Sequence, residues 1–311
     1  MSPAHRPLVR RMSESNIWFE RDLDDPGEYL ASWSPRQLVP EVLPSEQAVG
    51  AAMLAELERL AENKGGDLII ILLGGRGAQA MHQLIGERAA DETLDQLLGR
   101  LRVFTQDALA PMRMASGLSF VRDFERLLGD HFLRKVKSFS SFRTDAEDLE
   151  LEAARYVELL EAAGGADIFF LGHGPEPEGA SHLAYIKPGS GAHAADVAGL
   201  MPISSSILEH HVTKFKAGGS TITANDETEC RQASHLFTLG PAAILNAKLL
   251  VQSIVDADTA PAKRVSYKRV LETEFADDLS ERSRQLDENP GLWIRLHPNV
   301  RSFVLPNVLA S

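Results

Sequence analysis

The sequence predicts an α/β fold, a doubly wound and mainly parallel sheet with helices on both faces. Three observations carry this: short apolar runs of strand length, glycine-rich turns directly after them, and segments of helical period in between. With 311 residues, 44% hydrophobic and 24% charged, the chain can bury a large core.

Residues 1–44 hold six of the 16 prolines (Pro3, Pro7, Pro26, Pro35, Pro40, Pro44) and two of the three tryptophans, Trp18 and Trp33. They read as an extended N-terminal arm with anchor points, packed on its own domain or on a neighbouring copy in a homo-oligomer. Residues 45–311 read as a single α/β domain. Ser45 caps a helix in which Val49, Met53, Leu54, Leu57 and Leu60 recur at three-to-four spacing, ending near Asn63-Lys64-Gly65-Gly66. The strand 67–73 follows, continuous and covered on both faces, and Gly74-Gly75-Arg76-Gly77 turns it into a helix bearing Met81, Leu84 and Ile85.

The same unit recurs at 101–105, before a loop and a helix from about Ser119 to Lys135. It recurs at 167–171, before a Gly/Pro loop, and at 236–239, before Gly240-Pro241 and a helix. Further strands are expected at 248–254 and 302–305. No internal repeat or low-complexity tract interrupts this pattern.

Composition narrows the function. Lys+Arg 32 against Asp+Glu 44 gives a net charge of −12, which repels a phosphate backbone or an anionic membrane, so neither is an expected partner. The longest strongly apolar run, Leu68 to Leu73, is far below the roughly 20 residues of a membrane span, and the N-terminus offers no apolar core for a secretion signal. The expected location is the cytoplasm. The single Cys230 excludes an intrachain disulfide, and its charged neighbours Asp226, Glu227, Glu229 and Arg231 read as a solvated helix face carrying an inert thiol.

In an open parallel sheet, ligands bind outside the carboxyl ends of the strands, so the loops there are the candidates. In Gly74-Gly75-Arg76-Gly77 the missing β-carbons let a phosphate approach backbone N–H groups at a helix N-terminus, and Arg76 offers a forked cation; a tight turn alone also explains the glycines. Thr105-Gln106-Asp107-Ala108 places a carboxylate past a strand end, as a base toward a carbon next to a carbonyl or as a helix cap or turn residue. The third loop, GHGPEPEGASHLAYIKPGS from Gly172 to Ser190, gathers His173, Glu176, Glu178, His182 and Lys187.

Metal binding is not expected: His173 and His182 are nine apart without HExxH or CxxC companions, and adjacent His210 and His211 point in different directions on any regular element. There is no Gly-x-Ser-x-Gly elbow for nucleophilic hydrolysis. A dinucleotide fingerprint is absent too, because Ala80 takes the third glycine's place and no acid stands at the tip of the next strand. No cofactor is expected.

In their order along the chain, these loops resemble the glucosamine-6-phosphate deaminase/isomerase and 6-phosphogluconolactonase family, whose fold is a modified Rossmann-like α/β sheet acting on hexose phosphates. The Gly-Gly turn is similar to its phosphate loop, Phe104-Thr105-Gln106-Asp107 to its Phe-x-x-Asp-Glu segment, and 182–190 to its Asp-Gly-His-x-Ala-Phe-x-Glu-Pro-Gly-Ser loop. Downstream, 236–246 resembles the segment ending in a Gly-x-x-x-Leu-x-x-Ala helix, and Lys263-Arg264-Val265 the Lys-Ala pair whose lysine meets the phosphate. The resemblance spans roughly residues 45–275.

The chain departs from the pattern at several acids. Ala180 replaces the carboxylate two residues before the histidine, Lys187 the glutamate five residues after it, and Ala108 the acid after Asp107. Glu178, in the inserted Pro175-Glu176-Pro177-Glu178, is expected to return to the vacancy. The resemblance implies Asp107 as the base that moves a proton between adjacent carbons of an open-chain sugar phosphate, and His182 as the group that assists ring opening. It also implies a phosphate grip of Gly74, Gly75, Arg76, Gly77 and Lys263, with Lys214 as a weaker third cation, around a loop framed by Gly172, Gly174 and Lys187. Lys187 is expected to keep His182 neutral. Lactone hydrolysis, needing only a histidine to activate water and a cationic pocket, and sugar-phosphate binding without catalysis are the alternatives. The segment 289–299 reads as packing, with His297 structural, and the acidic run from Asp145 to Glu152 as a solvated helix start.

Overall fold

The computed structural model describes residues 8–310; Pro3, Arg6 and Pro7 lie outside the described residues. The strands are β1 (Leu8–Ser13), β2 (Asn16–Arg21), β3 (Glu41–Val42), β4 (Leu68–Leu72), β5 (Leu101–Thr105), β6 (Asp107–Ala110), β7 (Ser138–Ser140), β8 (Ile168–Leu171), β9 (Gly174–Pro175), β10 (Ser181–His182), β11 (Asp196–Pro202), β12 (His235–Leu239), β13 (Leu249–Ile254) and β14 (Val300–Val304). The helices are α1 (Pro26–Ala31), α2 (Glu46–Asn63), α3 (Gln79–Ala90), α4 (Asp95–Leu98), α5 (Phe120–Lys135), α6 (Leu149–Ala162), α7 (Ser205–Ala217), α8 (Ala224–Gln232), α9 (Pro241–Leu245), α10 (Ala262–Glu272) and α11 (Leu279–Glu288).

Seven strands form one parallel sheet in the order β3-β14-β13-β8-β4-β5-β7. Its central strands β4 and β8 are buried on both faces because every one of their residues is apolar. In β4, Leu68, Ile70 and Leu72 belong to one core, with Val49, Met53 and Phe124 from α2 and α5, while Ile69 and Ile71 belong to the other, with Tyr156, Phe237 and Trp293. The chain runs outward through β4, β5 and β7, then returns to place β8 on the other side of β4. That reversal opens a crevice between the carboxyl ends of β4 and β8.

A second, antiparallel sheet, β1-β2-β11-β12-β6, is a feature that periodicity did not disclose. Two expectations are corrected by it. Residues 107–110, expected in a loop, form an edge strand, and 236–239 pairs in this sheet rather than the parallel one. Residues 8–21, expected as an extended arm, fold into the β1-β2 hairpin, in which β2 pairs with β11 and Trp18 is fully buried. The helix starts are capped as their sequences require, with Ser45 accepting from the Ala48 N–H, Ser119 from Val121 and Asp148 from Leu151. His297 is buried against the Ala247 carbonyl at 2.7 Å. Cys230, expected on a solvated face, is fully buried on α8, and burial pushes its thiol up to about 11. No described helix is long and apolar enough to cross a membrane.

Candidate active site

The crevice between β4 and β8 is lined by Gly74, Gly75 and Gly77 after β4, by Gly172, His173 and Gly174 after β8, and by Ser253 at the end of β13. Asp107, His182, Tyr185, Lys214 and Lys263 complete it. Segments far apart in sequence thus meet in one cleft that holds two lysines.

Asp107 is the first residue of β6, separated from β5 by Gln106 alone, so the step from one sheet to the other fixes its backbone. Its side chain is buried, and Gln106 Nε2 donates to Asp107 Oδ2 at 2.5 Å. Burial raises the carboxyl to about 7, against the opposing pull of the Gln106 hydrogen bond and the Lys214 charge. Its Oδ1 receives no hydrogen bond among the described residues.

His182 sits on the β9-β10 ribbon with its ring directly over Gly174, where a β-carbon would lie 1.7 Å from Nε2. Its Nδ1 is 2.5 Å from Glu176 Oε1. A carboxylate acceptor there makes Nδ1 the protonated nitrogen of the neutral ring and leaves Nε2 with its lone pair. Burial holds the imidazole pKa below its ordinary value despite the Glu176 hydrogen bond and charge, with Lys214 and Lys263 adding to the lowering. This corrects two expectations. Glu176, not Glu178, supplies the acid: Glu178 is exposed, and its carbonyl accepts from Arg269. Lys187 is not what keeps His182 neutral, since its ammonium donates to the Pro202 carbonyl at 2.8 Å.

Of the expected cations, Lys214 and Lys263 enter the cleft and Arg76 does not. Arg76 is held by Glu46 at 2.6 Å and by Gln79 at 3.1 Å, so the glycines of its loop face the cleft while its guanidinium lies among side-chain acceptors. Lys263 is buried in an ion pair with Asp256 at 2.5 Å; burial works against ionisation of that aspartate, but the two lysines outweigh it and hold it well below the carboxylate range. Lys214 Nζ has no hydrogen-bond or ion-pair partner among the described residues. Burial lowers its pKa to about 7, with Lys263 adding to the effect and Asp256 and Asp107 opposing it.

Four further side chains line the cleft, His173, which the sequence gathered in the third loop without a role, and Gln106, Tyr185 and His211, which had no place among the expected site residues. His173 is buried with Nε2 2.7 Å from Ser266 Oγ, and Gln106 holds Asp107. Tyr185 Oη is 3.4 Å from His211 Nδ1, while His211 Nε2 donates to the Leu118 carbonyl at 2.8 Å. The expected divergence of His210 and His211 follows from their adjacency on α7. No group of three or more metal-ligating side chains occurs among the described residues.

No protein-family model matches the sequence. Among curated proteins, a glucosamine-6-phosphate deaminase from Staphylococcus epidermidis is 26% identical over 162 residues, 51% of this chain and 53% of that protein. The enzyme from a second strain of the species is 23% identical over 211 residues, 67% and 73% of the two chains, and one from Parabacteroides distasonis is 38% identical over 60 residues, 19% and 21%. The chain thus spans about half the length of the first relative it matches. Among solved structures, a monomeric glucosamine-6-phosphate deaminase superposes with a TM-score of 0.67 at 16% identity, covering 87% of this chain and 98% of that one. The 6-phosphogluconolactonase of Trypanosoma brucei gives 0.59 at 20% identity, covering 89% and 100%. These superpositions establish a shared fold.

Proposed function

We propose that this chain, a diverged member of the glucosamine-6-phosphate deaminase and 6-phosphogluconolactonase family, moves a proton between adjacent carbons of an open-chain hexose phosphate, with Asp107 as the base. The observation that carries this reading is a buried carboxyl with a pKa raised to about 7, in the same cleft as an unpartnered lysine. A base titrating near neutrality combines a usable ionised fraction with a real affinity for the proton it takes.

Lys214 and Lys263 hold the phosphate, and the bare backbone of Gly74, Gly75 and Gly77 admits it closely. His182 Nε2, backed by Glu176 at Nδ1, takes the proton of the anomeric hydroxyl and delivers it to the ring oxygen as the ring C–O bond breaks. Asp107 Oδ1 then takes the proton from the carbon next to the carbonyl; the C–H electron pair forms the carbon–carbon double bond of an enediol, the carbonyl π pair moves onto its oxygen, and that oxygen takes a proton from water. Asp107 returns its proton to the former carbonyl carbon while the hydroxyl on the deprotonated carbon gives its proton to the hydroxide left by that water and becomes the new carbonyl, which completes the transfer. Anchoring by the distant phosphate holds the reacting carbon at the base, an effect worth roughly 7–11 kcal/mol in favourable cases.

The His182–Glu176 pair also favours a second reading, in which Nε2 activates a water toward a phosphorylated lactone and Asp107 takes no proton from carbon. Proton NMR in D2O, with a panel of hexose phosphates and 6-phosphogluconolactone, separates the two. Deuterium entering next to the carbonyl, and reduced about 100-fold or more in Asp107→Asn, is the expected result. Lactone loss that survives Asp107→Asn, without carbon exchange, rejects the proton-transfer reading; silence with broadened sugar signals leaves a binding protein.

A further inference from the structure

Gln106 is the single residue between β5 of the parallel sheet and β6 of the antiparallel one, and its backbone is bonded to both sheets. Its N–H donates to the Leu72 carbonyl of β4 at 3.1 Å, and its carbonyl accepts from Leu239 of β12 at 3.0 Å. The side chain is 3% exposed and the residue lines the cleft beside Asp107. One end of its amide is committed, Nε2 donating to Asp107 Oδ2, while Oε1 is buried without a partner among the described residues. The assignment is fixed by chemistry: with Asp107 ionised, turning the amide over would set a carbonyl oxygen against a carboxylate oxygen. A buried acceptor without a donor is costly, and such groups in a folded protein call for an explanation.

Resting on the sugar-phosphate reading above, we propose that Gln106 is a positioning and specificity-determining residue: Nε2 fixes the Asp107 carboxylate, and Oε1 accepts a hydrogen bond from a hydroxyl or amino group on the carbon that Asp107 deprotonates. The two roles belong together. Because one planar amide spans both contacts, the donor on the substrate is held in a set relation to the free Oδ1 of the base. A hydroxyl and an amino group both satisfy Oε1; a carbon bearing only hydrogen does not, and leaves the acceptor buried and unpaired in the complex.

The test is calorimetric binding of glucose 6-phosphate, glucosamine 6-phosphate, 2-deoxyglucose 6-phosphate and inorganic phosphate to the full chain, as wild type, Gln106→Met and Gln106→Glu. The wild type is expected to bind the first two sugars about tenfold or more tighter than the 2-deoxy sugar. Gln106→Met should erase that preference while phosphate binding persists, which also reports that the variant folds. Gln106→Glu keeps an acceptor, with one proton shared between its carboxyl and that of Asp107, and should keep the preference on the acid side of neutrality. The positioning role is read separately: in Gln106→Met the acidic limb of the kcat/KM profile moves to higher pH, because the donor that favours the ionised carboxylate is gone. A preference retained in Gln106→Met, or no preference in a wild type that binds all three sugar phosphates, overturns the proposal and leaves the sugar-phosphate reading standing. A wild type that binds none of the sugar phosphates overturns that reading and the proposal with it.

Discussion

Asp107 carries opposite consequences for stability and for activity. Its pKa is about 7 in the fold and near 4 in the unfolded chain, so between these values the native state holds a proton that the unfolded state has released. Stability contributed by this group is therefore full below pH 4 and falls as pH rises toward 7. Asp107→Asn should make the fold more stable at pH 8 by an amount on the order of a few kcal/mol, with the gain shrinking toward pH 4; denaturant unfolding at the two pH values measures it, and equal gains at both would contradict the assignment. For catalysis the signs differ. The base must be ionised and Lys214 must be charged, so kcat/KM should be a narrow bell near pH 7. Arginine cannot lose its proton here, so Lys214→Arg should remove the alkaline limb, and a limb that stays in place assigns it to another group.

At the scale of elements, the glycines of the site loops divide by what surrounds them. A β-carbon on Gly174 would strike His182 Nε2, and one on Gly74 would lie 2.2 Å from the Phe120 ring. Gly174→Ala should displace His182 from Glu176 and lower turnover about tenfold or more, with the far-ultraviolet circular dichroism unchanged; full activity would mean that the ring is free to move. The two-residue turn between Leu183 and Ile186 puts Ala184 and Tyr185 at φ 50° and 57°, a conformation costly for both and kept where the surroundings enforce it. Helix starts such as Ser45 and strands such as β4 were legible because capping chemistry and continuous burial are local signals. The acid of the insertion was not: Glu176 and Glu178 are two residues apart in one Pro-Glu-Pro-Glu segment, and only the backbone of the turn decides which of them meets His182.

For the whole molecule, the cleft is the point where the parallel sheet reverses its order and the antiparallel sheet begins. The lysines that enter it come from α7 and α10, not from the loop that follows β4. Arg76→Ala should accordingly leave phosphate affinity within about twofold, while Lys214→Met should weaken it about tenfold or more at low salt, as titration with inorganic phosphate would show. A large loss in Arg76→Ala would mean that Arg76 leaves Glu46 when the anion arrives. The sequence by itself determined five of the parallel strands, β4, β5, β8, β13 and β14, the crevice at their carboxyl ends and the presence of Asp107 and His182 beside it, because burial period and strand-end glycines are written locally. Only the tertiary structure decided that the N-terminal hairpin joins a second sheet, that Glu176 supplies the acid, that Arg76 turns to Glu46 and that Lys214 stays unpartnered. Those outcomes depend on contacts between segments distant in the chain, 30 residues apart for Arg76 and Glu46 and more than 170 for β2 and β11, or on the φ values of a single turn, and neither is encoded in the period of one segment.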